Sequence, residues 1–193
     1  MNMTRRRAVL FDLDGTLTKP HLDFDAIRSE IGLPPGPILE SIATLTAPNR
    51  TRAEEILVRH EWAAAHNAVA QDRAAEVVED CRRLGYATAV MTRNARLTTE
   101  HVLKSLRLEV DAVRTREDGA IKPSPEPVLG LCVTLNADPR RSWVIGDFLF
   151  DILSGRAAGA RTVLMVGDAD PPDYASLADH TISKLAELLP ILS

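Results

Sequence analysis

Two aspartates set one residue apart, Asp12 and Asp14, follow the apolar run Ala8-Val-Leu-Phe11 and are followed almost at once by Gly15. A short, continuous apolar run reads as a strand buried on both faces. Side chains alternate along a strand, so a continuing strand would place both carboxylates on one side. Gly15 argues for a turn or a close backbone approach instead. The pair therefore sits at the carboxyl end of a buried strand, which is where ligands bind in open α/β sheets. Two neighbouring anions repel unless they share a proton or bind a cation, so this stretch calls for a metal. Further polar groups follow other predicted strand ends: Thr92 with Arg93, Lys122, and Gly146-Asp147 with Asp151. Carboxylates, a hydroxyl, a lysine and glycine turns are the equipment of phosphoryl transfer. A cation and a lysine neutralise the phosphate, a hydroxyl and backbone N–H groups hold its oxygens, and one carboxylate can attack phosphorus.

The elements that must bring these residues together alternate. The spacing predicts strands at 8–11, 86–91, 110–113, 142–145, 161–166 and 180–182, with helices at 72–84, 97–106, 126–135, 152–158 and 185–192. Gly85 suits a left-handed helix end, and Ser124 and Pro125 suit a helix start. Strands alternating with helices imply a parallel sheet covered on both faces, with all carboxyl ends on one edge. Between the first strand and residue 70 the rhythm differs. Helical periodicity at 23–31, 38–45 and 51–69 is broken by Gly32-Leu-Pro-Pro-Gly36-Pro37 and Ala47-Pro48-Asn49. Thr51 with Glu54 three residues on reads as a capping box for the last of these helices. The expected architecture is α/β, a Rossmann-like parallel sheet with helices on both faces, carrying a small all-helical insertion. Residues 1–17 and 71–193 form the core domain and 18–70 the insertion.

Composition narrows the class. The chain has 193 residues, 45% hydrophobic and 26% charged, enough for one domain with an insertion. Aromatics at 4% and a net charge of −4 argue against a nucleic-acid surface. The basic run Arg5-Arg6-Arg7 is followed by too few apolar residues for a signal-peptide core, and no stretch approaches a membrane span. Cys81 and Cys132 are isolated, without metal-ligand spacing, as in a reduced cytoplasmic protein.

Asp12-Leu-Asp14-Gly15-Thr16, Thr92, Lys122-Pro123 and Gly146-Asp147-x-x-x-Asp151 resemble, in order, the four motifs of the haloacid dehalogenase-like (HAD) superfamily. They are most similar to its phosphatase branch (phosphoglycolate phosphatase-like, subfamily IA), with a helical cap after the first motif. Taken singly, Thr92 reads as a helix cap, Lys122 as a loop lysine and Gly146-Asp147 as a turn; the ordered set outweighs those readings. The resemblance implies that Asp12 is the nucleophile forming an aspartyl-phosphate and that Asp14 is the general acid/base. It implies that Thr92, the Arg93 backbone and Lys122 bind phosphate, and that Asp12, Asp147 and the Asp14 carbonyl bind Mg²⁺. Asp151 would hold metal-bound water or Lys122. The substrate implied is a small-molecule phosphate ester.

Relatives with other chemistry fit less well. Dehalogenases resemble this pattern without the second aspartate. Phosphonate-cleaving relatives need a cap lysine near the site, and the insertion holds only Lys19, at its very start. A phosphomutase of the β-phosphoglucomutase kind keeps Asp14 and stays open. A signalling receiver domain also gathers acids, Thr and Lys, but carries its acceptor on an interior strand. Within the insertion, His21, Arg28, Arg50, Arg52, Arg59, His60, Glu61, Trp62 and His66 could reach a substrate, although most read as solvated or packing positions. The oligomeric state is not legible in the sequence.

Overall fold

The computed structural model describes residues 5–20 and 22–193. Six strands, β1 (Arg7–Phe11), β2 (Tyr86–Met91), β3 (Ala112–Arg114), β4 (Trp143–Gly146), β5 (Arg161–Met165) and β6 (His180–Ile182), form one sheet. Its order is β3-β2-β1-β4-β5-β6, and every pairing is parallel. The chain runs outward from β1 through β2 to β3, then crosses back to β4 on the other side of β1. The β1/β4 boundary is thus the point where strand order reverses, the usual place for a ligand crevice.

The central strand shows why its residues are so apolar. Val9 and Phe11 point into a layer with Val77, Val78 and Cys81 of α4 (Ala74–Arg83) and Val102 and Leu103 of α5 (Arg96–Ser105). Ala8 and Leu10 point the other way, with Ala87 and Ala89 of β2, toward Val128, Leu131 and Cys132 of α6 (Glu126–Thr134). Residues 8–11 have no exposed surface. Fully burying a side chain such as Phe11 or Leu10 contributes about 1.5–3 kcal/mol. The alanines on the second face keep it shallow enough for a helix to approach closely. Gly155 in α7 (Leu149–Ala157) does the same against β4 and β5: a Cβ there would lie 2.6 Å from Thr162 and 3.0 Å from Val144. Among the described residues α8 (Leu188–Leu192) follows a short 3-10 turn, Leu185–Glu187, so the last apolar run is not one continuous helix.

Between β1 and α4 lie α1 (Phe24–Ile31), α2 (Ile38–Ala43) and α3 (Ala47–His66). They share a small core of their own, Ile27, Ile38, Ile42, Ala53 and Leu57. Asp23 caps α1 by accepting from the Ala26 N–H at 2.9 Å. The Thr51 capping box is corrected: α3 begins at Ala47, after Thr46, with Pro48 in its first turn. A proline there loses no bond, because first-turn N–H groups have no partner within the helix. Thr51 lies inside the helix and donates its hydroxyl to the Ala47 carbonyl at 3.2 Å. The outgoing and returning chains pair with each other: the Lys19 N–H donates to Val69 and the Gln71 N–H to Leu17, both at 2.8 Å. Cys81 and Cys132 are free and buried. No helix among the described residues is long and apolar enough to cross a membrane.

Candidate active site

Asp12 is the first residue past β1, and its N–H extends the β1/β4 ladder by donating to the Ile145 carbonyl at 2.8 Å. The chain then curls around Leu13, whose carbonyl accepts from the N–H groups of Leu17 and Thr18 at 2.9 Å. Gly15, inside that curl, has φ +78°, and a Cβ there would lie 2.1 Å from Asp147 Oδ2. Any side chain would be strained in backbone and would strike the carboxylate, so glycine is required on both counts.

Lys122, buried, reaches across from the loop before α6. Its Nζ lies 2.7 Å from Asp12 Oδ1 and 2.6 Å from Asp151 Oδ1. Asp151 sits in the first turn of α7, where its other oxygen accepts from the Phe148 N–H at 3.2 Å. Gly146 makes room for it, since a Cβ there would fall 2.1 Å from Asp151 Cγ. Carboxylate oxygens of Asp12, Asp147 and Asp151 all lie within 4.8 Å of one another. Three carboxylates against one ammonium leave an excess of negative charge in a buried place. Burial, then the charges of Asp12 and Asp151, push the Asp147 carboxyl up to about 8, against the pull of Lys122. Burial pushes Asp151 up to about 6, with Lys122 again opposing. Burial alone would lower the Lys122 ammonium, but Asp12 and Asp151 hold it above its ordinary value. A divalent cation is the charge this donor set lacks, and a small, hard cation prefers carboxylate oxygens.

Thr92 follows β2 and is buried; its hydroxyl oxygen accepts from the Asn94 N–H at 3.2 Å, leaving its own proton to donate. The Arg93 guanidinium donates to the Lys122 carbonyl at 3.1 Å and to Glu40 of α2 at 2.6 Å, and it lies 4.8 Å over the Phe150 ring. The sequence-predicted residues Asp12, Asp14, Thr92, Arg93, Lys122, Asp147 and Asp151 all line one cleft of about 610 Å³. Of the insertion positions singled out, Arg28 and Glu61 line it as well. Arg50 instead donates to the carbonyls of Ala43 and Leu45, closing the end of α2. Arg59 and His60 pair with Glu30. Trp62 and His66 meet His101 of α5 in a ring cluster. His21 lies outside the described residues.

The sequence assigns no place in the site to Asn94 and no definite role to Glu61. Asn94 donates its side-chain N–H to the Asp14 carboxylate. Its place two residues after Thr92 was the available signal. Glu61, on α3 and buried, accepts from the Ala95 N–H at 3.2 Å and pairs with Arg116, which also donates to the Arg93 carbonyl at 3.2 Å. Burial raises the Glu61 carboxyl while Arg116 acts to lower it. A helix-face glutamate gives no sequence sign that it turns inward.

A family model described as haloacid dehalogenase-like hydrolase matches residues 6–159. A pyrophosphatase, PpaX, from Bacillus mycoides is 31% identical, over 96% of this chain and 96% of its own. A hydrolase from Pseudomonas syringae superimposes with a TM-score of 0.83 at 21% identity, covering 97% and 98% of the two chains. A structure described as a predicted phosphoglycolate phosphatase from Haemophilus somnus gives 0.78 at 20% identity over the whole of both chains. The last two carry the fold alone.

Proposed function

The chain belongs to the haloacid dehalogenase-like hydrolase family, and we propose that it is a Mg²⁺-dependent phosphatase cleaving a phosphate monoester through an aspartyl-phosphate on Asp12. The observation that carries this is the convergence of Asp12, Asp14, Thr92, Lys122 and Asp147 on the edge of the sheet where strand order reverses. The relative named a pyrophosphatase supports cleavage at phosphorus.

In this reading Asp12 and Asp147, with the Asp14 carbonyl, hold the cation. When bound, it neutralises charge on the phosphate oxygens and on the attacking carboxylate. Lys122, 2.7 Å from Asp12 Oδ1, adds a second positive charge beside the reacting groups. The Thr92 hydroxyl and the Arg93 N–H donate to phosphate oxygens. The Asp12 carboxylate attacks phosphorus, the ester P–O bond breaks, and Asp14 gives its proton to the departing alkoxide. Asp14, now a carboxylate oriented by Asn94, takes a proton from water. That water attacks the acyl phosphate, releasing inorganic phosphate and restoring Asp12. Asp151 holds Lys122 in place from behind. Residues 18–70 serve as the cap, covering the cleft while water is excluded.

The test is hydrolysis of 4-nitrophenyl phosphate with Mg²⁺, with free phosphate as product. Asp12→Asn should lower kcat by at least about a thousandfold; undiminished turnover in that variant would remove the nucleophile assignment.

A further inference from the structure

The walls of the cleft carry information about the rest of the substrate. Leu22, Phe24, Ile38 and Leu39 line it from the helical segment, and Phe148 and Phe150 line it from the core. Phe24 and Phe148 are 52% and 51% exposed, a large amount of apolar surface to leave in water within a concave site. Phe148 is also braced. Phe150 meets it edge-on with ring centroids 5.1 Å apart, and Tyr174 meets it at 6.2 Å. A ring held from two sides is a preformed surface for another apolar group.

The charges lining the cleft point the same way. Among the described residues the cations there are Arg28, Arg93 and Lys122. Arg28 pairs with Asp25 at 2.5 Å and donates to the Gly36 carbonyl at 3.3 Å. Arg93 pairs with Glu40 at 2.6 Å, and Lys122 is shared between two aspartates. Each positive group is already matched by a carboxylate. A divalent cation at the carboxylate cluster can balance a single phosphate, but a second phosphate or a carboxylate would meet no unmatched cation among the described residues that line the cleft. The volume, about 610 Å³, is ample for a phosphate carrying a ring system, since sites for drug-sized ligands span about 300–1,000 Å³.

We infer that the preferred substrate is the phosphate monoester of an uncharged, apolar, ring-sized alcohol or phenol, held between the Phe24 and Phe148 sides of the cleft, and not a pyrophosphate or a carboxylated phosphate. This rests on the phosphatase reading for its chemistry, and only the contacts of the leaving group are new.

The experiment compares kcat/KM with excess Mg²⁺ for 1-naphthyl phosphate, methyl phosphate, phosphoglycolate and inorganic pyrophosphate. The naphthyl ester should lead pyrophosphate and phosphoglycolate by at least about tenfold, the low end of what apolar pocket contacts deliver. In Phe24→Ala the naphthyl-to-methyl ratio should fall about tenfold, a ratio that cancels any loss of folded protein. Pyrophosphate or phosphoglycolate cleaved as well as the naphthyl ester, or a ratio unmoved by Phe24→Ala, overturns the inference while leaving a phosphatase. Equilibrium binding of the same ligands to Asp12→Asn with Mg²⁺ separates the two readings. If the wild type turns nothing over, tighter binding of the naphthyl ester upholds the apolar cleft and overturns the phosphatase, whereas equal or weaker binding overturns both.

Discussion

Asp12 and Asp14 are separated by one residue, yet their surroundings differ in a way that suits the different roles proposed for them. Asp12 is tied to Lys122 at 2.7 Å and shares the carboxylate cluster with Asp147 and Asp151. The Asp14 side chain receives the Asn94 amide. If Asp14 moves the proton, as proposed, it needs a fixed aim more than a charge partner, and Asn94, in the loop that also carries Thr92, would supply that aim. Asn94→Ala should therefore lower kcat about tenfold or more while KM stays close to the wild-type value. The loss should be larger for an alkyl phosphate than for an aryl phosphate, because a good leaving group needs less help from an acid. Steady-state kinetics on one ester of each kind checks this; equal losses on both would separate Asn94 from the acid's role.

At the scale of elements, the strand ends are what the sequence displays most openly. Short apolar runs ending in Asp12, Thr92 and Asp147 mark buried parallel strands, and parallel strands send their carboxyl ends to one edge. The helical segment was less legible. Pro48 reads as a break when only periodicity is followed, but it occupies the first turn of α3, where the missing N–H is harmless. Glu61 is uncommitted in the sequence because a polar residue on an amphipathic helix looks the same whether it meets water or a part-buried arginine. Its contacts tie α3 to the loop after β2, through the Ala95 N–H and through Arg116 to the Arg93 carbonyl. Glu61 is buried while Arg116 keeps some exposure, and leaving such a donor without its acceptor costs about 1–3 kcal/mol, so Glu61→Ala should destabilise on that scale and raise KM by loosening the Thr92 loop. Glu61→Gln, which can still accept from Ala95, should lose less. Denaturant unfolding of both variants beside kinetics decides the matter; similar stabilities for wild type and Glu61→Ala would show that the contact is not a structural tie.

For the molecule as a whole, the site is a concentration of buried negative charge at the sheet's crossover, held by a fold whose apolar layers supply the stability. That arrangement links folding to pH and to metal. The folded Asp147 carboxyl titrates near 8 against an ordinary 3.8, so the metal-free native state holds a proton that the unfolded chain releases. Asp151, raised to about 6, acts in the same sense. This contribution to stability is full below about pH 4 and is lost as pH climbs to about 8. Metal takes deprotonated carboxylates, so its binding strengthens over the same range. Thermal melts should show the metal-free protein losing Tm between about pH 4 and pH 8, with Mg²⁺ raising Tm more at the upper pH. A Mg²⁺ effect that shrinks with rising pH would contradict the cluster's assignment as the metal site.

The proposed reaction passes through a covalent phosphoryl group on Asp12, a species that can be trapped and located. On the proposed mechanism Asp14→Asn retains the nucleophile but lacks the base that activates water, so with an aryl phosphate and Mg²⁺ it should form the acyl phosphate and stall. Acid-quenched protein, digested and analysed by mass spectrometry, should then carry close to one phosphoryl group per chain, located on Asp12. An unmodified Asp12 peptide from a variant that still releases the phenol, or a phosphoryl group on another residue, would contradict the account.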